Sequence, residues 1–350
     1  MRPRLAATGR DGRDSCLKNS LKNRRYAAVI RLGNHAERGA EHRPAHSNND
    51  IQGLTMKHIL AFPAAVIGGT LLVSGCAALS EAGGTPRKEI VRAVTQSHHL
   101  VSFNAGQPGR LLSDVALKGL PAGETVLGID YRVARGELYA LGSSGRVFRV
   151  DTASGQLTPV GKEKFAQSLN GRQFGFDFNP AADRIRIVSD TRQNLRAHPD
   201  TGALVDASPD APGLQADGTL NYAAGDANEK VVPQVVAAGY TYNKDNEKLT
   251  TNYAIDAATG ALVRQGSVEG EQPVVSPNLG KLYTVGTLGV AGLTDAHFDI
   301  ADLNNAAFAV LTTKADSTAQ FYEIDLKTGK ATRIGKVGAG EALRGIAIEP

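Results

Sequence analysis

Three aspartates, Asp130, Asp177 and Asp299, stand at the same place in copies of one short alternating pattern. The five copies read Gly128-Ile129-Asp130, Gly175-Phe176-Asp177, Gly239-Tyr240-Thr241, His297-Phe298-Asp299 and Gly345-Ile346-Ala347. Strand alternation puts residues of equal phase on one face, so five such runs around a common axis would bring three carboxylates together. Like charges that close require protons or a cation. An oxygen-only donor set suits Ca²⁺ or Mg²⁺ rather than Zn²⁺, and water held there would support a metal-assisted hydrolase or lactonase. The same residues have a structural use, because each Asp can accept a backbone N–H from the next run or pair with an arginine.

A second set with chemical capacity is Arg184, Arg186, Asp190, Arg192, Gln193 and Asn194, continued by Arg196. Alternate arginines share one strand face, and guanidinium forks hold carboxylate, sulfate or phosphate groups well. Pairing of Arg184 and Arg186 with Asp190 or the axial aspartates is the structural alternative.

Other signals are weaker. The turns at Asp151, Asp256 and Asp325 and the shorter Asp200-Thr201-Gly202 lack EF-hand spacing and match ordinary hairpin chemistry. His98-His99 has no second pair to complete a metal site. There is no Gly-x-Ser-x-Gly elbow, His-Glu-x-x-His or phosphate loop. With no Trp in the chain, the stacking platform common in sugar sites is missing, for which Tyr131, Tyr139, Tyr222 and Tyr242 would substitute only in part.

Residues 173–205 show what must position these groups. Gly175 to Phe178 alternates as a first strand, Asn179-Pro180 turns, Arg184 to Val188 alternates as a second, and Asn194 to Ala197 begins a third. The design recurs from Val126, from Ala238 and from His297. His99 to Asn104 and Leu111 to Leu117 form a partial unit at one end, and Leu343 to Ile348 supplies a first strand at the other. Joining the two ends closes a ring with no exposed edge. The expectation is an all-β chain forming a β-propeller of five antiparallel blades over residues 94–350. The 39 glycines suit many tight turns.

The region before the ring has a different character. Residues 1–55 are polar and basic, expected to be disordered or not translated. From Met56 a short positive segment precedes an apolar run, Ile59 to Val73, that ends in Val73-Ser74-Gly75-Cys76. Residues 56–76 resemble a bacterial lipoprotein signal peptide and lipobox, which implies acylation of Cys76 and a membrane anchor. An uncleaved membrane helix is the alternative. Residues 77–93 would be a flexible tether, and the absence of Asp after Cys76 points by analogy to the outer membrane of a Gram-negative bacterium. Cys16 and Cys76 are the only cysteines, so the ring has no disulfide. Of 39 basic and 35 acidic residues, 12 and 5 precede residue 58. The remainder is slightly acidic, which argues against nucleic acid as a partner.

ETVLGIDYR at Glu124 to Arg132, DRIRIVSDTRQNLRAHPDTGALV at Asp183 to Val205 and LNYAAGDAN at Leu220 to Asn228 resemble, in this order, a bacterial family known only as a domain of unknown function, DUF4394. The resemblance covers residues 95–350 and implies an exported, propeller-like protein without an assigned activity. Arg192 stands where that family more often has Gly. Together these features predict a lipid-anchored, periplasm-facing binding or scaffold module for a protein, glycan or small molecule, with the metal-assisted hydrolase as the alternative.

Overall fold

A computed structural model describes residues 84–350; the basic extension, the signal segment with Cys76, and the first part of the tether lie outside the described residues. The first blade contains β1 (Ile90–Thr95), β2 (His99–Asn104) and β3 (Gln107–Ala116), and the second β4 (Val126–Arg132), β5 (Glu137–Gly142), β6 (Arg146–Val150) and β7 (Leu157–Pro159). The third blade is β8 (Phe174–Asn179), β9 (Arg184–Ser189) and β10 (Asn194–Ala197). After β11 (Asn221–Tyr222), the fourth holds β12 (Val235–Tyr240), β13 (Asn252–Asp256), β14 (Ala261–Gln265) and β15 (Lys281–Thr287). The fifth is β16 (Leu293–Ile300), β17 (Ala307–Thr313), β18 (Gln320–Ile324) and β19 (Ala331–Lys336), and β20 (Leu343–Ile348) returns to the first. This is the expected five-bladed all-β propeller.

Closure differs in one detail from the sequence expectation. β20 pairs with β1, in the register Val91↔Ile348 and Ala93↔Ile346, and β1 in turn pairs with β2. The ordered ring therefore begins before Val94, inside the segment expected as tether. Polar Arg87, Lys88 and Glu89 mask this strand in the sequence, but Arg87 forks onto Glu323 of the fifth blade at 2.8 and 2.7 Å.

The third blade has no fourth strand. Pro199 lacks an N–H and the Asp200-Thr201-Gly202 turn follows, so only a single bridge, Ala197↔Leu204, extends it. The chain crosses instead to the fourth blade, where β11 pairs parallel with β15. Apolar packing lies between blades. One buried cluster fills each of the five junctions, and the smallest, around Val188, Leu220, Val235 and Leu282, is at the third-to-fourth junction where the chain crosses.

The innermost strands are β20, β4, β8, β12 and β16. Their glycines admit the next blade: a Cβ on Gly128 would stand 2.7 Å from Phe176 Cβ, one on Gly175 2.6 Å from Ala238 N, and one on Gly345 2.8 Å from Ile129 N. On the fourth strand Ala237 stands at this level, and Gly239, aligned with the other glycines in the sequence, lies one level further on, where a Cβ would meet the Phe298 ring at 2.8 Å. His297, on the fifth, sets Nε2 2.9 Å from the Leu343 carbonyl oxygen of the following blade. The space left between the inner strands at this level is about 10 Å³, room for no more than about one water.

Gly175→Ala is therefore expected to destabilise the protein by about 1–3 kcal/mol through overpacking. Denaturant melting checks this. An unchanged midpoint would mean that the ring can widen there.

Candidate functional site

One level further along the inner strands lie the three aspartates. Asp130, Asp177 and Asp299 are buried, and one carboxylate oxygen from each lies within 4.8 Å of the others. Alternation from the glycine level dictates this convergence. The offset from Gly128 to Phe176 equals that from Asp130 to Phe178, so neighbouring inner strands run side by side in one direction.

Their hydrogen bonds explain why three suffice for five strands. Phe178 N donates to Asp130 Oδ2 at 2.6 Å, Tyr240 N to Asp177 Oδ1 at 3.0 Å, and Ile348 N to Asp299 Oδ2 at 2.6 Å. Each bond joins a blade to the next. On the fourth inner strand the position level with the aspartates is Gly239, the residue before Tyr240, and Thr241, aligned there in the sequence, lies two residues further on and accepts from Thr251 N. At the two junctions that begin from Gly239 and Ala347, the following N–H turns to its own strand's aspartate: Ile300 N donates to Asp299 Oδ1 at 2.6 Å and Tyr131 N to Asp130. Five inward backbone donors are thereby satisfied by three side chains.

The electrostatics are less comfortable. Burial, and then the charge of Asp299, hold the Asp130 carboxyl well above the ordinary range. Burial, then Asp130 and Asp299, do the same to Asp177. Asp299 is pushed up to about 7, chiefly by burial, with the Ile348 and Ile300 N–H groups pulling the other way. None of these carboxyls has a basic side chain among the influences on it. The layer therefore holds protons near neutrality, or else a cation. Ca²⁺ takes oxygens at about 2.4 Å, so a set spanning 4.8 Å has the dimension of one coordination sphere.

Next to this layer lies a cavity of about 340 Å³ lined by Arg132, Val133, Phe178, Tyr242, Glu247 and Leu249 among others. Phe178 is the residue whose N–H meets Asp130. The Tyr242 phenol is driven upward first by burial and then by Asp130, Asp177 and Asp299, which places it within their field. Tyr242 N is held by Asn305 Oδ1 at 2.8 Å, and Asn305 Nδ2 returns a bond to the Tyr242 carbonyl. Arg132 is 3% exposed and forks onto Asp183, with Nη1 2.6 Å from Asp200. Of the four tyrosines singled out in the sequence, Tyr131, Tyr139 and Tyr222 are buried in the junction clusters and Tyr242 lines this cavity. Arg132, Phe178 and Leu249 were not legible as cavity residues, since the wall combines the ends of three blades. The recurrent position just after each inner strand was the available signal.

The arginine set divides. Arg186 is 2% exposed and donates to Asn194 Oδ1 at 2.7 Å, Asp217 Oδ2 at 2.6 Å, Asn278 Oδ1 at 2.6 Å and Tyr240 OH at 3.2 Å. Arg196 grips both oxygens of Asp217 at 2.8 Å. Asp217, on the segment that crosses between blades, is thus the partner, and neither Asp190 nor an axial aspartate fills that role. Arg184 donates to the Ala182 and Asp183 carbonyls. Asp190 accepts from Arg172 N at 2.9 Å, Gln193 bonds Ser168 and Asn170, and Arg192 reaches Asn221 at 3.0 Å. These three hold loops and do not join Arg186 and Asn194. Arg192 adopts φ +69°, the left-handed conformation that glycine takes without cost.

Three of the Asp turns behave as hairpin chemistry: Asp151 Oδ1 accepts from Ala153 N and Ser154 N, Asp256 Oδ1 from Ala258 N, and Asp325 Oδ1 from Lys327 N and Thr328 N, whereas the Asp200 carboxylate is taken by Arg132. His98 turns at φ +62°, and His99 Nδ1 sits 2.6 Å from Asp114.

The sign of the pH effect follows from the carboxylate layer. A carboxyl raised from 3.8 to about 7 binds more protons folded than unfolded between those values. Its stabilisation is complete below the lower value and is lost as pH rises through the upper one. Asp177→Asn keeps an oxygen for Tyr240 N–H and removes one ionisable group. Urea midpoints measured from about pH 5 to about pH 8 are expected to fall less in this variant than in the parent. Equal slopes would remove the axial layer as their source.

The family model for Domain of unknown function (DUF4394) matches residues 99–347. None of the curated proteins matches the chain. Solved structures with a similar course include a protein from Lactobacillus plantarum at 16% identity, covering 74% of this chain and 71% of that one, with a TM-score of 0.35. A candidate 6-phosphogluconolactonase from Bacteroides uniformis has 13% identity, 74% and 99% coverage and a TM-score of 0.36. A protein of unknown function from Bacteroides thetaiotaomicron has 13% identity, 71% and 58% coverage and a TM-score of 0.35. At these scores the likenesses carry nothing about activity. With most of the propeller matched from His99 to Ala347, the chain belongs to the DUF4394 family.

Proposed function

We propose that this protein is a binding module of the cell envelope, anchored by lipid at Cys76 and facing the periplasm from the outer membrane. Its ligand is a small organic molecule held in the cavity formed by Arg132, Phe178, Tyr242 and Leu249. The observation that carries this reading is the cavity itself. About 340 Å³ of concave space, walled by aromatic and aliphatic groups with a few fixed polar ones, has the size and chemistry of a ligand pocket. The anchor rests on the lipobox residues Val73 to Cys76. No helix of the described residues is long and apolar enough to cross a membrane.

The hydrolase or lactonase alternative is weaker. A substrate must reach the ion or water that attacks it, yet Asp130, Asp177 and Asp299 are 4%, 3% and 6% exposed and already hold backbone donors. Charge balance in the layer by protons or by Ca²⁺ or Mg²⁺ then serves closure of the ring.

Two measurements test the proposal. Cells fed an alkyne fatty acid should label the protein, and Cys76→Ser should abolish the label; persistent labelling excludes this anchor. Native mass spectrometry of protein isolated from envelopes should show a small molecule that Ala134→Phe, which fills the cavity wall, displaces. Identical profiles for parent and variant would discard the cavity as the binding site.

A further inference from the structure

The third-to-fourth junction contains a second cavity, of about 200 Å³, lined by Arg184, Arg186, Arg196, Tyr240, Ser276 and Asn278 among others. We infer that it binds an oxyanion group, phosphate or carboxylate, of a small ligand. The inference uses residues other than the cavity of the proposed function, apart from Asn179 at the rim of both, and stands or falls without it.

Charge is the first argument. Three guanidinium groups line the space, and one carboxylate, Asp217, pairs with two of them. Asp217 is wholly buried, with its oxygens taken by Arg186 and Arg196. That leaves two positive charges in excess around a concave space, the condition under which an anion gains most from Arg forks.

Donor capacity is the second. Each guanidinium carries five N–H bonds in a fixed plane. Arg196 uses Nε and Nη2 on Asp217, and Arg184 uses Nη1 on two carbonyl oxygens. Among the described residues no acceptor meets Arg196 Nη1, or Nε and Nη2 of Arg184. These donors are also pre-positioned. The Ala182 and Asp183 carbonyls hold one guanidinium and Asp217 holds the other, so little side-chain freedom is lost when a ligand arrives.

The third argument is polar surplus in the same junction. Gln265, 0% exposed, donates to Asn194 Oδ1 at 3.1 Å and to the Pro277 carbonyl at 2.8 Å, yet its Oε1 has no partner among the described residues. Asn252, which opposes Tyr240 in the strand register, has neither polar atom bonded. A junction built only for packing has no use for so many buried polar groups.

The test is calorimetric titration of the full chain in detergent with inorganic phosphate, with succinate, and with chloride at matched ionic strength. Saturable binding of phosphate, succinate or both, absent with chloride, is expected. Response to one alone identifies the ligand group as tetrahedral oxyanion or carboxylate. Arg184→Gln and Arg196→Gln should each weaken binding about tenfold, the loss of one charge-assisted contact. Arg184 makes no side-chain bond in the buried network, so Arg184→Gln should melt like the parent and report on binding alone. Ala134→Phe should leave phosphate and succinate titrations unchanged, which separates this site from the other cavity. Absence of saturable binding by either anion, or affinity unaltered in both arginine variants, overturns the inference.

Discussion

A propeller's inner strands have no hydrogen-bonded ladder between them, because each belongs to a different sheet. In this chain the gap is bridged by two layers. Glycines let each strand approach the next blade to backbone contact, and one level on, carboxylates capture the N–H groups that the approach leaves pointing inward. Without the second layer those donors would be buried and unpaired, a cost of about 1–3 kcal/mol each. Without the first, the carboxylates would be too far apart to reach across.

This construction creates its own electrostatic problem. Aspartate is short enough to bridge adjacent strands, but three of them on one axis repel in a medium that solvates them poorly. Two of the five positions carry Gly239 and Ala347 instead, which limits the charge, and Asp130 and Asp299 each take a second donor to compensate. Cavity chemistry inherits this arrangement. Tyr242 sits in the field of the acidic layer, while the ring's other polar concentration, around Arg186 and Asp217, is cationic and lies at the blade junction with the smallest apolar cluster.

The crossing segment after Gly202 shows how one local interruption shapes a surface. Pro199 and the turn stop the third blade short, and the chain spends its next strand on the fourth. Asp217 is carried along that crossing into contact with Arg186 and Arg196. A complete fourth strand on the third blade would have left both guanidiniums to find other partners.

Period-two alternation, turn residues and the recurrence of one motif were enough to determine from sequence the blades, their number, and the phase that aligns Asp130, Asp177 and Asp299. Those are local properties repeated along the chain. Even the weak first strand at Ile90 was missed only because charged neighbours hid its alternation. β14 and the transfer of β11 between blades were not legible, since a strand's partner is chosen by which edge remains open after folding. The same holds for the pairing of Arg186 with Asp217, for the split of the arginine set, and for both cavities. Each joins residues from different blades, and that proximity is set by ring closure and packing between sheets, which no local pattern encodes.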